Sequence, residues 1–304
     1  MATPMTPDQW LKALRAEGVK VEEYPGWRTR GRDAATGKTF GPVRMFLNHH
    51  TAGRNARDVI AKNGVYGLPA PLAHVYLARS GVATMCSAGR ANHAGLMASN
   101  AYASFRDEAA SHPAPSKASG TVDGNDVSYG IETENRGDEE DVYPRIQYDA
   151  WVRINAAVCR FHGWGHDSVG CHKETSIEGK VDPRGPVEGY GSRGRFSFTP
   201  YQFRLDVQER LAHPASWNPN DETEPEKEED MTPAQEKLLA KVAADVAALK
   251  AGAAVAPWTY RNPTQDKASR AAGHRIPDMH GRIENLQTSI DALTKAVAEL
   301  KKGA

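Results

Sequence analysis

Pro214 to Asp230 sets the outer limit on what this chain can fold into. Asp221, Glu222, Glu224, Glu226, Glu228, Glu229 and Asp230 crowd the stretch, with Pro214 and Pro219 ahead of them and Pro225 among them. Such a segment has too little apolar surface to offset the entropy of ordering it, so it reads as a linker, and no core can run through it. The 304-residue chain is therefore expected to divide into residues 1–213, a flexible acidic linker over 214–230, and a small module over 231–304. Only the first of these is long enough for a sizeable core.

That first region mixes element types. Thr6 can cap a helix that Pro7 opens. Val43 to Asn48 is β-rich and mostly apolar, which predicts a buried strand delivering His49 at its end. Ala73 to Arg79, the turn at Ser80-Gly81, and Val82 to Cys86 predict a hairpin. Val127 to Glu134 alternates as a central strand does. Trp151, Ile154, Ala157, Val158 and Phe161 have helical spacing within Tyr148 to Gly163. Thr199-Pro200 begins another helix, with Phe203, Val207 and Leu211 as its inner stripe. The expected class is α/β, a mixed central β-sheet flanked by helices.

Beyond the linker, Thr232-Pro233 starts a helix running to about Lys250, with Leu239, Val242, Val246 and Leu249 on one side. Ile283, Leu286, Ile290, Leu293, Val297 and Leu300 then alternate steps of three and four. β-Branched residues at a and leucine at d favour a parallel two-stranded coiled coil, so a helical, oligomerising C-terminal module is expected. In a GC-rich genome, Lys227-Glu228-Glu229-Asp230-Met231 would encode a ribosome-binding sequence ahead of an ATG. A shorter product starting at Met231 and co-assembling with the full chain is the corresponding expectation.

Bulk properties exclude several classes. A formal net charge of +0 gives no long-range attraction to nucleic acid or acidic membranes. No stretch is apolar enough to span a bilayer. The N-terminus has neither a basic n-region nor an apolar h-region, so no secretory signal peptide is read there. Cys86, Cys159 and Cys171 do not make a disulfide framework, which suits folding in a reducing cytoplasm.

The chemistry concentrates in Cys171-His172-Lys173-Glu174 and Gly179-Lys180-Val181-Asp182-Pro183. His172 and Asp182 lie ten positions apart across a polar, glycine-containing loop. With His49 from a strand end they would make a three-ligand zinc site whose fourth position stays open to water, the catalytic arrangement. On composition and spacing alone, histidines merely satisfied within the fold are an equally good reading. Alternation puts His50 on the opposite face of its strand, in a packing or hydrogen-bonding role. Cys171 reads as a buried thiol.

Val43 to Gly53, ending His49-His50-Thr51-Ala52-Gly53, together with His172 to Pro183, resembles the zinc-dependent type 2 N-acetylmuramoyl-L-alanine amidase and peptidoglycan recognition protein superfamily, in its phage endolysin form. Ser128-Tyr129-Gly130-Ile131-Glu132 matches the family strand that carries a catalytic glutamate. Asn92-His93-Ala94-Gly95 is similar to its substrate-groove segment. The resemblance covers roughly residues 40 to 212. It implies Zn2+ as cofactor, with His49, His172 and Asp182 as ligands, Asp182 standing where some relatives have cysteine. It implies Glu132 as the proton-transferring group and Lys180 as the oxyanion-stabilising cation. Thr51, Asn92 and His93 become substrate contacts, and Glu174 a partner that orients His172. One departure stands out: where some relatives place a catalytic tyrosine before the histidine of Ala73-His74, this chain has Ala73, so Glu132 would carry the base role alone.

The implied reaction is hydrolysis of the amide between N-acetylmuramic acid and L-alanine of the stem peptide, with peptidoglycan as partner. The linker and tail suit a modular phage endolysin of an actinobacterial host, held in the host cytoplasm until a membrane lesion admits it to the cell wall. In the C-terminal module, Trp258 and Tyr260 as sugar-stacking surfaces compete with oligomerisation through the seam, and the two are compatible. A non-catalytic peptidoglycan-binding protein of the same fold and a virion tail-associated lysin stay open as alternatives.

Overall fold

Thr6 caps the first helix through a reciprocal pair: its Oγ1 accepts from the Gln9 backbone, and the Gln9 side chain accepts from the Thr6 backbone. The structure, a computed structural model, describes residues 2–219. The expectations for the rest of the linker, for the 231–304 module with its Ile283–Leu300 seam, Trp258 and Tyr260, and for a start at Met231 lie outside the described residues.

Helix α1 (Pro7–Ala16) buries Trp10, Leu11 and Leu14. The chain continues through β1 (Lys20–Glu23), the one-turn helix α2 (Asp33–Thr36), β2 (Met45–His50), β3 (Val75–Leu77) and β4 (Val82–Met85). A small ribbon of β5 (Leu96–Ala98) and β6 (Thr121–Asp123) brackets α3 (Ser99–Arg106). One turn, α4 (Gly124–Val127), leads into β7 (Ser128–Thr133). Helix α5 (Arg145–His162), β8 (Val169–Cys171), the turn α6 (His172–Thr175), the short strands β9 (Pro186–Val187) and β10 (Phe196–Ser197), and α7 (Pro200–Ala212) complete the order.

Six strands form the central sheet in the order β1-β4-β3-β7-β2-β8. Only the β3/β4 hairpin is antiparallel, so the sheet is mixed, as expected. The central strands β2 and β7 are buried almost throughout, because both faces of the sheet are covered. On one face Phe46, Val75, Leu77, Tyr129 and Ile131 pack with Trp10, Trp151, Val158 and Phe203 of the long helices. On the other, Met45 and Leu47 meet Ala94, Met97 and Phe105, while Tyr76 meets Ile60 and Leu72. Phe161 departs from the expected inner stripe of α5 and is 39% exposed. Its neighbour Arg160 instead reaches the buried Glu17.

Two buried polar clusters fix how helices meet sheet. Asn48, on the helix-covered face of β2, exchanges reciprocal amide hydrogen bonds with Asn155 of α5 at 3.0 and 2.9 Å and accepts from Trp151 Nε1 at 2.7 Å. Its remaining N–H goes to the Gly170 carbonyl at 2.9 Å, so the whole amide is satisfied, as burial demands. Elsewhere Glu17, 1% exposed, takes hydrogen bonds from Arg210 and Arg160 and so ties the end of α1 to α7 and α5. Among the described residues no helix is long and apolar enough to cross a membrane.

Candidate active site

Strand alternation and register place the first two groups. β2 and β7 run parallel with His49 directly opposite Glu132, so both side chains leave the sheet on the face away from α5. His50 goes the other way. Its Nδ1 accepts from the Arg184 backbone at 3.4 Å, and its ring lies where a Cβ on Gly137 would come within 2.0 Å.

β8 pairs with β2 and ends at Cys171, where the chain turns into α6 and brings His172 across to His49. Glu174 braces that turn. Its carboxylate accepts from the Cys171 backbone at 3.0 Å and is gripped by both terminal nitrogens of Arg204 at 2.9 and 3.0 Å. It therefore meets Arg204 and the backbone beside His172, and its hold on the imidazole runs through that backbone. The loop closes when Lys173 N–H donates to the Asp182 carbonyl at 2.8 Å.

The result is a triangle of donor atoms. His49 Nδ1 lies 3.0 Å from His172 Nδ1 and 3.1 Å from Asp182 Oδ2, and His172 Nδ1 lies 3.1 Å from the same oxygen. A tetrahedral ion with bonds of about 2.0–2.1 Å spaces its ligands roughly 3.3 Å apart, so the triangle fits zinc with little adjustment. Two imidazole nitrogens and one carboxylate oxygen are also the donor types such an ion takes. Among the described residues this is the group of histidines and acids close enough to hold a metal. Burial, reinforced by His172, pushes the His49 pKa down to about 4, which keeps its ring neutral. Burial raises the Asp182 carboxyl, but the two imidazoles against it outweigh that and hold it well below the usual carboxylate range.

Glu132 lies beside this triangle with its Oε2 buried and without a hydrogen-bond partner among the described residues. Burial raises its pKa well above the ordinary value, Asp182 adds to that, and Lys180 pulls the other way. Lys180 is on the outer part of the loop, 45% exposed and 3.5 Å from Glu178.

The three expected substrate contacts differ in placement. Thr51 spends its hydroxyl on the loop, donating to the Gly53 carbonyl at 2.5 Å and accepting from Asn135 N–H. Asn92 is half-buried and donates to the Pro69 carbonyl at 2.8 Å. His93 lies under His49, enclosed, with both ring nitrogens engaged by protein atoms. Cys171 is fully buried, and burial raises its thiol well above the usual range, so it is no thiolate donor to the triangle.

Residues 39–185 match the family described as N-acetylmuramoyl-L-alanine amidase. This segment belongs to that family. All the residues of the triangle, and Glu132, fall inside the amidase segment. No curated protein sequence matches the chain significantly. Among solved structures, the endolysin amidase LysCS from Clostridium intestinale is similar at 14% identity, over 52% of this chain and 84% of that one, with a TM-score of 0.34. A selenomethionine AmpD derivative is similar at 19% identity over 62% of this chain and 94% of its own, with a TM-score of 0.40. AMPDH3 from Pseudomonas aeruginosa in complex with anhydromuramic pentapeptide gives 20% identity over 53% and 60%, with a TM-score of 0.35.

The sequence alone does not mark the supporting residues of the amidase segment. Asn48, Asn155 and Trp151 hold β2 from behind, and Arg204, beyond the segment, holds Glu174. Their partners lie tens of residues away, and neither periodicity nor spacing encodes such pairings. One local signal is that Asn48 interrupts an apolar run, which a buried amide does when it has a partner.

Proposed function

We propose that this chain is a zinc-dependent peptidoglycan hydrolase that cleaves the amide between N-acetylmuramic acid and the L-alanine of the stem peptide. The observation that carries the reading is the convergence of His49 Nδ1, His172 Nδ1 and Asp182 Oδ2 to within 3.0–3.1 Å of one another, beside a carboxylate with an unengaged oxygen. When bound, zinc would make water nucleophilic near neutral pH and polarise the scissile carbonyl. Glu132 takes the proton from the attacking water and returns it to the departing alanine nitrogen. Its burial makes it hold that proton between the two transfers. Lys180, on the exposed outer loop, supplies positive charge to the carbonyl oxygen as it becomes an oxyanion. Asn92 at the rim and Thr51 through its loop shape the groove for the muramyl peptide.

The wider setting follows the same reading. A phage endolysin would wait in the host cytoplasm and reach the wall only at lysis. Residues 231–304 would then serve as an oligomerising or wall-binding module, with the Met231 product as an additional subunit.

The test is release of free alanine α-amino groups from purified actinobacterial peptidoglycan, with and without a chelator and zinc add-back. Chelator-sensitive release that zinc restores is the expected result. Wall binding without release would replace the hydrolase with a recognition protein of the same fold.

A further inference from the structure

We propose that His93 is a positioning residue that locks His49 in the one tautomer able to present a bare Nδ1 to His172 and Asp182. The inference rests on the metal-site reading above for its purpose, and on hydrogen bonding alone for its geometry.

The protons can be followed from a fixed end. The Ser128 carbonyl can only accept, so His93 Nε2, 3.2 Å away, must carry the hydrogen. With that ring neutral, His93 Nδ1 is bare. It lies 3.2 Å from His49 Nε2, which must then be the N–H donor. His49 Nδ1 is left as a lone pair facing His172 and Asp182, and because the Asp182 carboxylate 3.1 Å away is itself an acceptor, the arrangement is complementary to a cation held between them. A carbonyl on β7 thus sets the protonation of an imidazole on β2 through one intervening ring.

The intervening ring has no freedom to do otherwise. Asn125 Oδ1 accepts from both His93 N–H and Ala94 N–H at 2.8 Å, which pins the backbone. The imidazole lies flat against Gly130, where a Cβ would come within 2.4 Å of its Nδ1. Glycine at this point of the β7 strand is therefore explained by the ring it must admit. The His93 and His49 rings meet edge to face, 5.3 Å apart at 84°. His93 is 8% exposed, and its two nitrogens meet an imidazole and a carbonyl, partners that a neutral ring satisfies. With both nitrogens committed and the ring covered, His93 has nothing left to offer a substrate.

The experiment uses the full chain, first metal-free and 15N-labelled, with the histidine tautomers read by long-range 15N–1H correlation, then titrated with zinc against a chromophoric chelator. In the metal-free chain His49 should carry its proton on Nε2. His93→Leu should scramble that tautomer and weaken zinc binding by about 10- to 100-fold. His93→Gln, whose amide can accept from His49 and donate to Ser128, should keep the tautomer and most of the affinity. A proton on His49 Nδ1 in the metal-free chain overturns the proposal outright, and does so even where His93→Leu fails to fold. Wild-type zinc affinity in His93→Leu, with only KM raised, would return His93 to the substrate groove. A wild-type chain that takes up no zinc would defeat the metal reading, while the tautomer still decides the role of His93.

Discussion

His49 and Glu132 occupy directly paired positions on adjacent parallel strands, and their side chains emerge on the same face of the sheet. Neighbouring strands are held about 4.8 Å apart by the ladder itself. Placed this way, the proposed metal ligand and the proposed proton-transferring carboxylate keep their separation unless the centre of the sheet opens.

Replacing Glu132 with Gln keeps the shape and removes the proton acceptor. Amide hydrolysis should fall by about 10²- to 10⁴-fold while zinc stoichiometry is unchanged. Paired measurements of amine release and bound metal check this. Loss of metal along with activity would assign Glu132 to the metal site instead.

Zinc bound only by the folded chain should also stabilise it, by about 2.7 kcal/mol when its free concentration is a hundred times Kd. Chelation should therefore lower the Tm of the wild-type chain in scanning calorimetry. In Asp182→Ala the chelator should leave Tm unmoved, because one corner of the triangle is gone.

His74 predicts an acid limit on stability. Its ring stacks on Phe40 at 4.8 Å, and burial pushes its pKa from 6.5 down to about 3. Between those values the unfolded chain binds a proton that the folded chain refuses. Stability is thus complete above the unfolded value and is lost as pH falls towards the folded one. His49 and His93, lowered by the same burial, act with the same sign. Urea midpoints of the metal-free protein should drop from pH 7 to pH 5, and His74→Phe should flatten the slope by up to about one proton. An equal slope in the two proteins would show His74 to be protonated in the fold.

Arg210 and Glu17 are 0% and 1% exposed and bonded at 2.7 Å. Arg210→Met would leave Glu17 to Arg160 alone, deep in the protein. A loss of about 3 kcal/mol is expected from denaturant unfolding. A loss below about 1 kcal/mol would mean that Arg160 suffices.

Much of this architecture is readable in the sequence because it depends on local pattern. The apolar run ending at His49, the alternation that sends His50 away, and the Thr-Pro starts of α1 and α7 are visible within a few residues. What brings His49, His172 and Asp182 together is also partly local, since a strand end and a short loop deliver them. The environment of each group is not. His93 sits in a groove-like motif, yet the chain folds it beneath His49, because Gly130, 37 positions on, leaves the space. Glu174 stands near His172 in sequence, yet Arg204 claims its carboxylate. Phe161 fits the helical stripe, but the inner contact there goes to Arg160, whose partner Glu17 is 143 residues earlier.

Asn48, His49 and His50 are three consecutive residues with three destinations: an amide pair in the helical layer, the triangle with His172 and Asp182, and a glycine-lined niche. Because strand faces alternate, moving β2 by a single position would trade all three places at once. The amide pair with Asn155 makes every such shift unfavourable, since it would bury unpaired polar groups on both elements. This stretch should therefore tolerate exchange of its apolar side chains far better than any change in its length. A one-residue insertion or deletion in the approach to Met45 would have to be absorbed by the preceding loop, or the face that carries His49 would be lost as a unit.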